Sequence, residues 1–444
     1  MKWISTLLLL ALALLLGAIV LFYERKQPSS EEAGSRAKRL FDLEGADVRW
    51  ISVDRDGTLA RFERVKPSWK MIAPVADRAD AYLLDSLANK LCALESKRVL
   101  DASSPPPPDT EAGFAPPRAL VRMEAGSGPI AIVVGRDAPA TGALYLRVTG
   151  RKETYLVDRY IGQDLERPIP DWRDRILLDA TPLDLEEARL TRPSGTLRFR
   201  RLGEDGRLAE PVDDEADGSK VQGLLAAITG LRVEAFLPSS EPPERTGLDG
   251  PMHRVSLDRR GGSQAGEILF GKPVEGNPSR LFARVPGREG IFEIPASILQ
   301  ELDSPADSFR SRRLFRLGEF DARGLDLESG GEKLSFSRVE GKWEASKPAG
   351  LKPRPGSIEQ TLTALSGLEA ETIEGPAAGL PGYGLDPPAA RAEMTGEGEP
   401  GLTEALRFGR PASEGRVFAM KEGRPYIVTV SSAVLDRFRA ESYE

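Results

Sequence analysis

The chain is nearly without two side chains on which many enzyme active sites depend, histidine and cysteine. Among its 444 residues there is one histidine, His253, and one cysteine, Cys92. A Ser-His-Asp or Cys-His arrangement would have to use His253 alone, and zinc sites built from several His and Cys ligands of one chain are excluded. No intrachain disulfide can form. Positive charge is not in excess either: the formal net charge is −7, which speaks against a broad basic surface for nucleic acid. Cys92, in NKLCALE, reads as a small apolar residue on a helix. His253, in PMHRVSL at a strand start, reads as a surface or edge side chain. Apolar residues make up 40%, enough for real cores, while 44 glycines and 35 prolines announce frequent turns.

Long apolar runs are also scarce, with one exception. Residues 4–22, ISTLLLLALALLLGAIVLF, form a 19-residue stretch free of charge. As a helix it has the length that crosses a bilayer, and it exceeds the apolar core of about 7–15 residues in a cleaved signal peptide. Residues 1–23 therefore read as a transmembrane signal anchor and 24–44 as a polar stalk. Lysines and arginines flank both ends, so charge does not set the orientation. A three-residue leader is easily kept in the cytoplasm, which puts the body of the chain outside it.

What the rest of the chain has is a repeat. WKMIAPV (69–75), RLAEPV (207–212) and WEASKPA (343–349) each precede a segment with helical periodicity. Pro74, Pro211 and Pro348 lie 137 residues apart, as do Leu94, Leu231 and Leu368. Further on, GFAPPRALV, GLDGPMHRVSL and GLDPPAARAEM correspond, the last opening at Gly384. IVVGRDAP, ILFGKPVE and LRFGRPAS then align Gly135, Gly271 and Gly409. DWRDRILL and SFRSRRLF close the first two copies. Repeat units span 45–181, 182–318 and 319–444. Each reads as β-rich runs, one amphipathic helix, then short strands broken by Gly and Pro. In the first copy Leu84, Leu87, Leu91 and Leu94 make the apolar stripe and Asp80 caps the helix. In the third, Pro355 takes the first helical position. The predicted fold is α+β: a transmembrane helix, then three tandem units, each an antiparallel sheet with one main helix.

The repeat disposes of the nucleotide motifs. GEILFGKP (266–273) matches a phosphate loop except for its last residue, but Pro273 stands where the hydroxyl for Mg²⁺ should be, and a strand follows instead of a helix. Its siblings IVVGRDAP and LRFGRPAS lack the pattern. All three read as a strand ending in a turn, where glycine supplies backbone freedom. GEGEPG (396–401) reads as a hairpin loop, its glutamates repelling a pyrophosphate. DDEADG (213–218) resembles the start of a calcium loop but has Leu224 at the twelfth position. It reads as an acidic approach to a helix N-terminus. Trp69 and Trp343 share a repeat position and read as packing at a sheet–helix seam. No acid–base pair recurs, so the chain is expected to be no enzyme and to need no cofactor, metal or nucleotide.

An N-terminal anchor, W-x-x-x-x-P, an amphipathic helix, Gly-Leu-Asp-x-Pro, strand-Gly and a tyrosine strand together resemble the bacterial domain-of-unknown-function 4340 family. The resemblance covers residues 45–444 and is strongest in WKMIAPVADRADAYLLDSLANKL and GYGLDPPAARAEM. The middle copy, with Gly206 in place of the tryptophan, departs from it. Such proteins are similar to those encoded beside gliding-motility-type ABC transporter components. The resemblance implies a single-pass inner-membrane protein with a periplasmic body that assists a transporter or other envelope complex, and it supplies no catalytic residues. A binding module for an envelope polymer or lipid, using repeated weak sites, is the alternative.

Overall fold

The computed structural model describes residues 38–126, 128–139, 142–203, 206–397 and 402–444. The apolar run at 4–22 lies outside them. Among the described residues no helix is long and apolar enough to cross a membrane.

The first repeat consists of β1 (Trp50–Arg55), β2 (Thr58–Val65), β3 (Ser68–Ala73), β4 (Asp77–Ala79), α1 (Ala81–Cys92), β5 (Arg98–Leu100), β6 (Ala119–Ala125), β7 (Gly128–Ala138), β8 (Ala143–Val148) and β9 (Thr154–Asp158). The strands form one antiparallel sheet in the order β4-β3-β2-β1-β6-β7-β8-β9-β5. Alternation along the strands puts one apolar row on one face. Ile51 stands opposite both Phe62 and Met123, and Val53 opposite Ala60 and Val121; all are buried. Helix α1 lays Leu84, Leu87, Ala88 and Leu91 into the same core. Its first turn is closed by Asp80, whose carboxylate accepts from the Leu83 N–H at 3.0 Å.

The other repeats follow this plan. Helix α2 (Gly218–Thr229) is capped by Asp217, and α3 (Ser357–Ser366) completes the set. The helix of the third repeat starts at Ser357 behind Gly356, so Pro355 precedes it and does not occupy its first position. Each core is closed by an aromatic from the end of its repeat, set against the central phenylalanine of the β2 position. Trp172 meets Phe62 at 5.6 Å between centroids, Phe309 meets Phe199 at 5.3 Å, and Tyr443 meets Phe336 at 4.6 Å. The carbonyl of each closing aromatic also accepts a backbone N–H ahead of the helix, from Asp80, Asp217 and Arg354.

The expectation of an α+β chain is therefore corrected, while the transmembrane helix expected within residues 1–23 lies outside the described residues. Among the described residues the fold is three antiparallel sheets of nine, nine and eight strands, with 45% strand and 21% helix. The excess strand sits in the β4 and β5 positions, segments of two to five residues too short for alternation to reveal them. The chain clusters into two compact units. Among the described residues, one comprises residues 38–177, 232–242 and 284–294, the other 178–231, 243–283 and 295–444.

Gly135, Gly271 and Gly409 do not end a turn. They lie inside eleven-residue strands, Gly128–Ala138, Gln264–Val274 and Thr403–Ser413. None has a left-handed φ. A Cβ on them would stand 2.3 Å from the Ala112 oxygen, 2.1 Å from that of Thr246 and 2.1 Å from that of Tyr383. Close approach of a preceding short helical turn, not backbone freedom, selects glycine there. Gly384, which ends that turn in the third repeat, does need the left-handed region, with φ at 69°.

Candidate functional site

The side chains that recur between repeats and are charged converge on one arrangement, seen twice. In the first compact unit the Asp77 side chain, at the start of β4, is fully buried. It accepts from Arg173 Nε at 2.8 Å and from Arg288 Nε and Nη2 at 2.9 and 3.0 Å. Arg288 spends its remaining donors on main-chain carbonyls, including Asp174 at 3.0 Å and Leu177 at 3.0 Å. Both guanidiniums lie over aromatic faces, Arg173 at 4.1 Å from the Phe236 ring and Arg288 at 4.8 Å from Phe292.

In the second unit Asp214, Arg310 and Arg424 repeat the pattern. Arg310 Nε donates to Asp214 at 2.9 Å, and Arg424 Nε stands 3.9 Å from the same carboxylate. Arg424 also donates to the Ser311 carbonyl at 3.0 Å, to the Tyr426 hydroxyl at 2.7 Å and to the Glu215 carboxylate. Arg310 lies 3.8 Å from the Tyr426 ring centroid. The spacing follows the repeat: Asp77 to Asp214 and Arg173 to Arg310 are both 137 residues.

Burial alone would push the Asp77 carboxyl up. Hydrogen bonding from Arg288 and the charges of Arg288 and Arg173 outweigh it and hold the group below the usual range. Glu215 behaves alike, burial being outweighed by Arg424, Lys421 and Arg316. Burial pushes the Tyr426 phenol up to about 12 against the pull of Arg424. Such groups stay in one charge state at neutral pH. They make ion-pair latches, not proton carriers.

The arginine donated by the β8–β9 hairpin always follows a glycine: Gly150-Arg151, Gly287-Arg288 and Gly423-Arg424. The turns are the same, with glycine φ at 89°, 87° and 84°. Each arginine N–H donates three residues back, to Val148 at 3.0 Å, Val285 at 3.0 Å and Lys421 at 3.1 Å. In the first repeat Arg151 is exposed. It donates to the Leu40 carbonyl at 2.8 Å and lies 5.5 Å from the Phe41 ring. Among the described residues it meets no carboxylate. A groove of about 690 Å³ opens beside it, lined by Leu40, Phe41, Trp50, Arg122 and Val148 among others.

Of the residues singled out by sequence, Trp69 is buried, donating to Asp85 of α1 at 2.9 Å with Arg64 stacked on its ring at 4.3 Å. Trp343 is half-buried against the third core. Pro74, Pro211 and Pro348 each end the β3 strand with a cis bond. These positions, with Gly135, Gly271, Gly384 and Gly409, shape each repeat and are not gathered into a site. His253 is buried, not at the surface, its Nε2 2.8 Å from Asp303. Cys92 is buried in α1, and burial and then the Asp47 charge push its thiol up, the reverse of an activated nucleophile. Lys272, the lysine of the apparent phosphate loop, donates to the Glu244 carbonyl at 3.0 Å. Among the described residues no group of three or more His, Cys, Asp and Glu is placed to hold a metal. The latches escaped the sequence reading, although DWR and SFR carry Arg173 and Arg310 in plain view. Asp77 and Asp214 share the same 137-residue offset.

No curated protein matches the chain. The family model described as Domain of unknown function (DUF4340) matches residues 69–251, 207–388 and 343–442. The three overlapping matches open at Trp69, Arg207 and Trp343, on the β3 position of each repeat, and together they cover most of the chain. The chain therefore belongs to the DUF4340 family and carries its unit in tandem repeat.

Proposed function

We propose that this protein is a non-enzymatic accessory scaffold of the bacterial envelope. It is tethered to the inner membrane through residues 4–22, with its repeats on the periplasmic side, and it serves an ABC transporter or another membrane complex. The observation that carries this reading is where the internally repeated residues are spent. The Asp–Arg latches, the glycines under the short helical turns and the closing aromatics all go into building and joining repeats. A chain whose repeated chemistry is architectural is suited to holding partners at a distance from one another.

An envelope-polymer module is the second reading. A groove of about 530 Å³ on the second repeat, lined by Arg198, Arg200, Arg201 and Arg207, favours it. Three of those arginines already face acids: Arg198 and Arg200 meet Glu187, and Arg207 meets Asp213. The 137-residue offset puts Glu63 where Arg200 stands, so the cluster is not a repeated site.

The test is crosslinking in cells and co-purification of the full-length chain from native membranes. Recovery of transporter permease and ATPase subunits supports the scaffold. Recovery lost when residues 1–23 are exchanged for an unrelated anchor places the contact in the membrane, and recovery retained places it on the repeats. Retention on purified envelope polymer with no protein partner sinks the scaffold and promotes the second reading.

A further inference from the structure

The two latches are built from three parts: an aspartate at the β4 position, an arginine closing that repeat, and the Gly-Arg turn of the following hairpin. The last part exists three times and is completed twice. Arg288 and Arg424 have side chains 8% and 5% exposed, whereas Arg151 in the same turn is exposed. The carbonyl half of the contact is already formed. Arg151 holds the Leu40 carbonyl as Arg288 holds that of Leu177, the residue 137 positions on. Arg151 differs from its two siblings in having no carboxylate among the described residues.

We propose that the Gly150-Arg151 turn of the first repeat, with the adjoining groove over Leu40 and Phe41, is an open latch. It receives the aspartate of an extended segment presented by a partner protein, in the manner of Asp77 and Asp214. Charge complementarity and the repetition of a contact the chain makes twice within itself select this occupant. A second copy of the chain does not supply the segment. Asp77 and Asp214 are consumed and buried, and the third repeat carries Leu351 at that position, packed against its own core. The third repeat therefore offers no aspartate of this kind, and the first repeat keeps the open turn. The proposal goes beyond the scaffold reading by naming where and through what chemistry a partner is held, and it rests on that reading only for the existence of a partner.

The probe is a synthetic peptide copying residues 70–82, KMIAPVADRADAY, titrated against the detergent-solubilised full-length chain. The expected result is saturable binding that weakens about tenfold or more with Arg151→Ala, and equally with Asp77→Asn in the peptide, as for loss of one charged hydrogen-bonded pair. Lys152→Ala, which removes the neighbouring exposed charge, should leave binding unchanged. Should Arg151→Ala disturb the fold, Arg151→Glu paired with an Asp77→Arg peptide keeps the test open: recovered binding supports the latch. No binding up to millimolar peptide, or binding indifferent to Arg151, overturns it. A chain that binds only after Glu31→Gln and Glu32→Gln overturns the partner claim by assigning the socket to the chain's own N-terminal segment. None of these outcomes depends on whether a transporter co-purifies, so the proposal and the scaffold reading fail separately.

Discussion

Replacing Asp77 with asparagine keeps the shape of the side chain and removes its charge. It leaves the Arg173 and Arg288 side chains, 6% and 8% exposed, without the one carboxylate that both of them bind. Their carbonyl contacts and aromatic stacking remain, so the cost is that of breaking a buried ion pair from one side, about 3 kcal/mol. A surface pair would cost about 1 kcal/mol or less. Urea unfolding followed by tryptophan fluorescence reads the difference, because Trp50, Trp69 and Trp172 all lie in the same compact unit as the latch. Trp172 is the neighbour of Arg173 in the chain. Adding Arg288→Met to Asp77→Asn should recover part of the loss, since the orphaned guanidinium is then gone, and the cycle isolates the coupling. Asp214→Asn should cost less, read from Trp343 in the other unit, because Arg310 keeps Asp307 at 3.0 Å and Arg424 keeps Glu215. A loss below about 1 kcal/mol for Asp77→Asn would refute the latch, because the pair would then be behaving as solvated.

Three further outcomes are expected. Asp77 and Glu215 have folded pKa values held below their unfolded ones, so the stability they contribute is complete above the unfolded carboxylate range of about 4 and is lost as pH falls through the folded values; the gap between wild type and Asp77→Asn in urea midpoint should hold from pH 7 down to about 4 and narrow as pH falls further. Gly271→Ala drives a methyl to 2.1 Å from the Thr246 oxygen and should cost about 1–3 kcal/mol in thermal or urea unfolding, while Gly250→Ala, with open space around it, should be nearly neutral. Cys92 should resist a thiol reagent at pH 8 in the native chain and react fully in denaturant, its thiol being buried and pushed up in pKa.

What the sequence revealed and what it hid divide along physical lines. The repeat was legible because glycine and proline positions are fixed by backbone geometry and do not drift with surface composition. The helix stripe of Leu84, Leu87 and Leu91 was legible because it has a period. The purpose of Gly271 was misread: sequence shows that glycine is required but not whether the reason is a dihedral angle or a neighbour, and here Thr246 arrives from 25 residues upstream. The short strands at the β4 and β5 positions were missed because two- to five-residue segments carry no periodicity, and one of them holds the buried Asp77. Burial of His253 was missed for a related reason: its partner Asp303 lies 50 residues away, and a lone histidine shows no pattern.

The first and third repeats differ in which half of the joint they keep. A tandem unit that joins its neighbour through a side chain from each must leave one half of the joint unused at each end, unless the end repeats are altered. At the C-terminal end they are altered. Leu351 replaces the aspartate, and Tyr443 takes over the position of Trp172 and Phe309, packing on Phe336 and accepting the Arg354 N–H through its carbonyl at 2.8 Å. The aromatic lid is common to all three repeats, so what changes in the third is the apolar Leu351 in place of the aspartate. At the N-terminal end the Gly150-Arg151 turn keeps the geometry and the charge of the joint. A capped terminus needs neither: an exposed arginine held in the latch conformation adds little stability by itself, and a neutral residue would fill the turn as well. An end retired from joining would show the substitution seen at Leu351, and the first repeat does not show it.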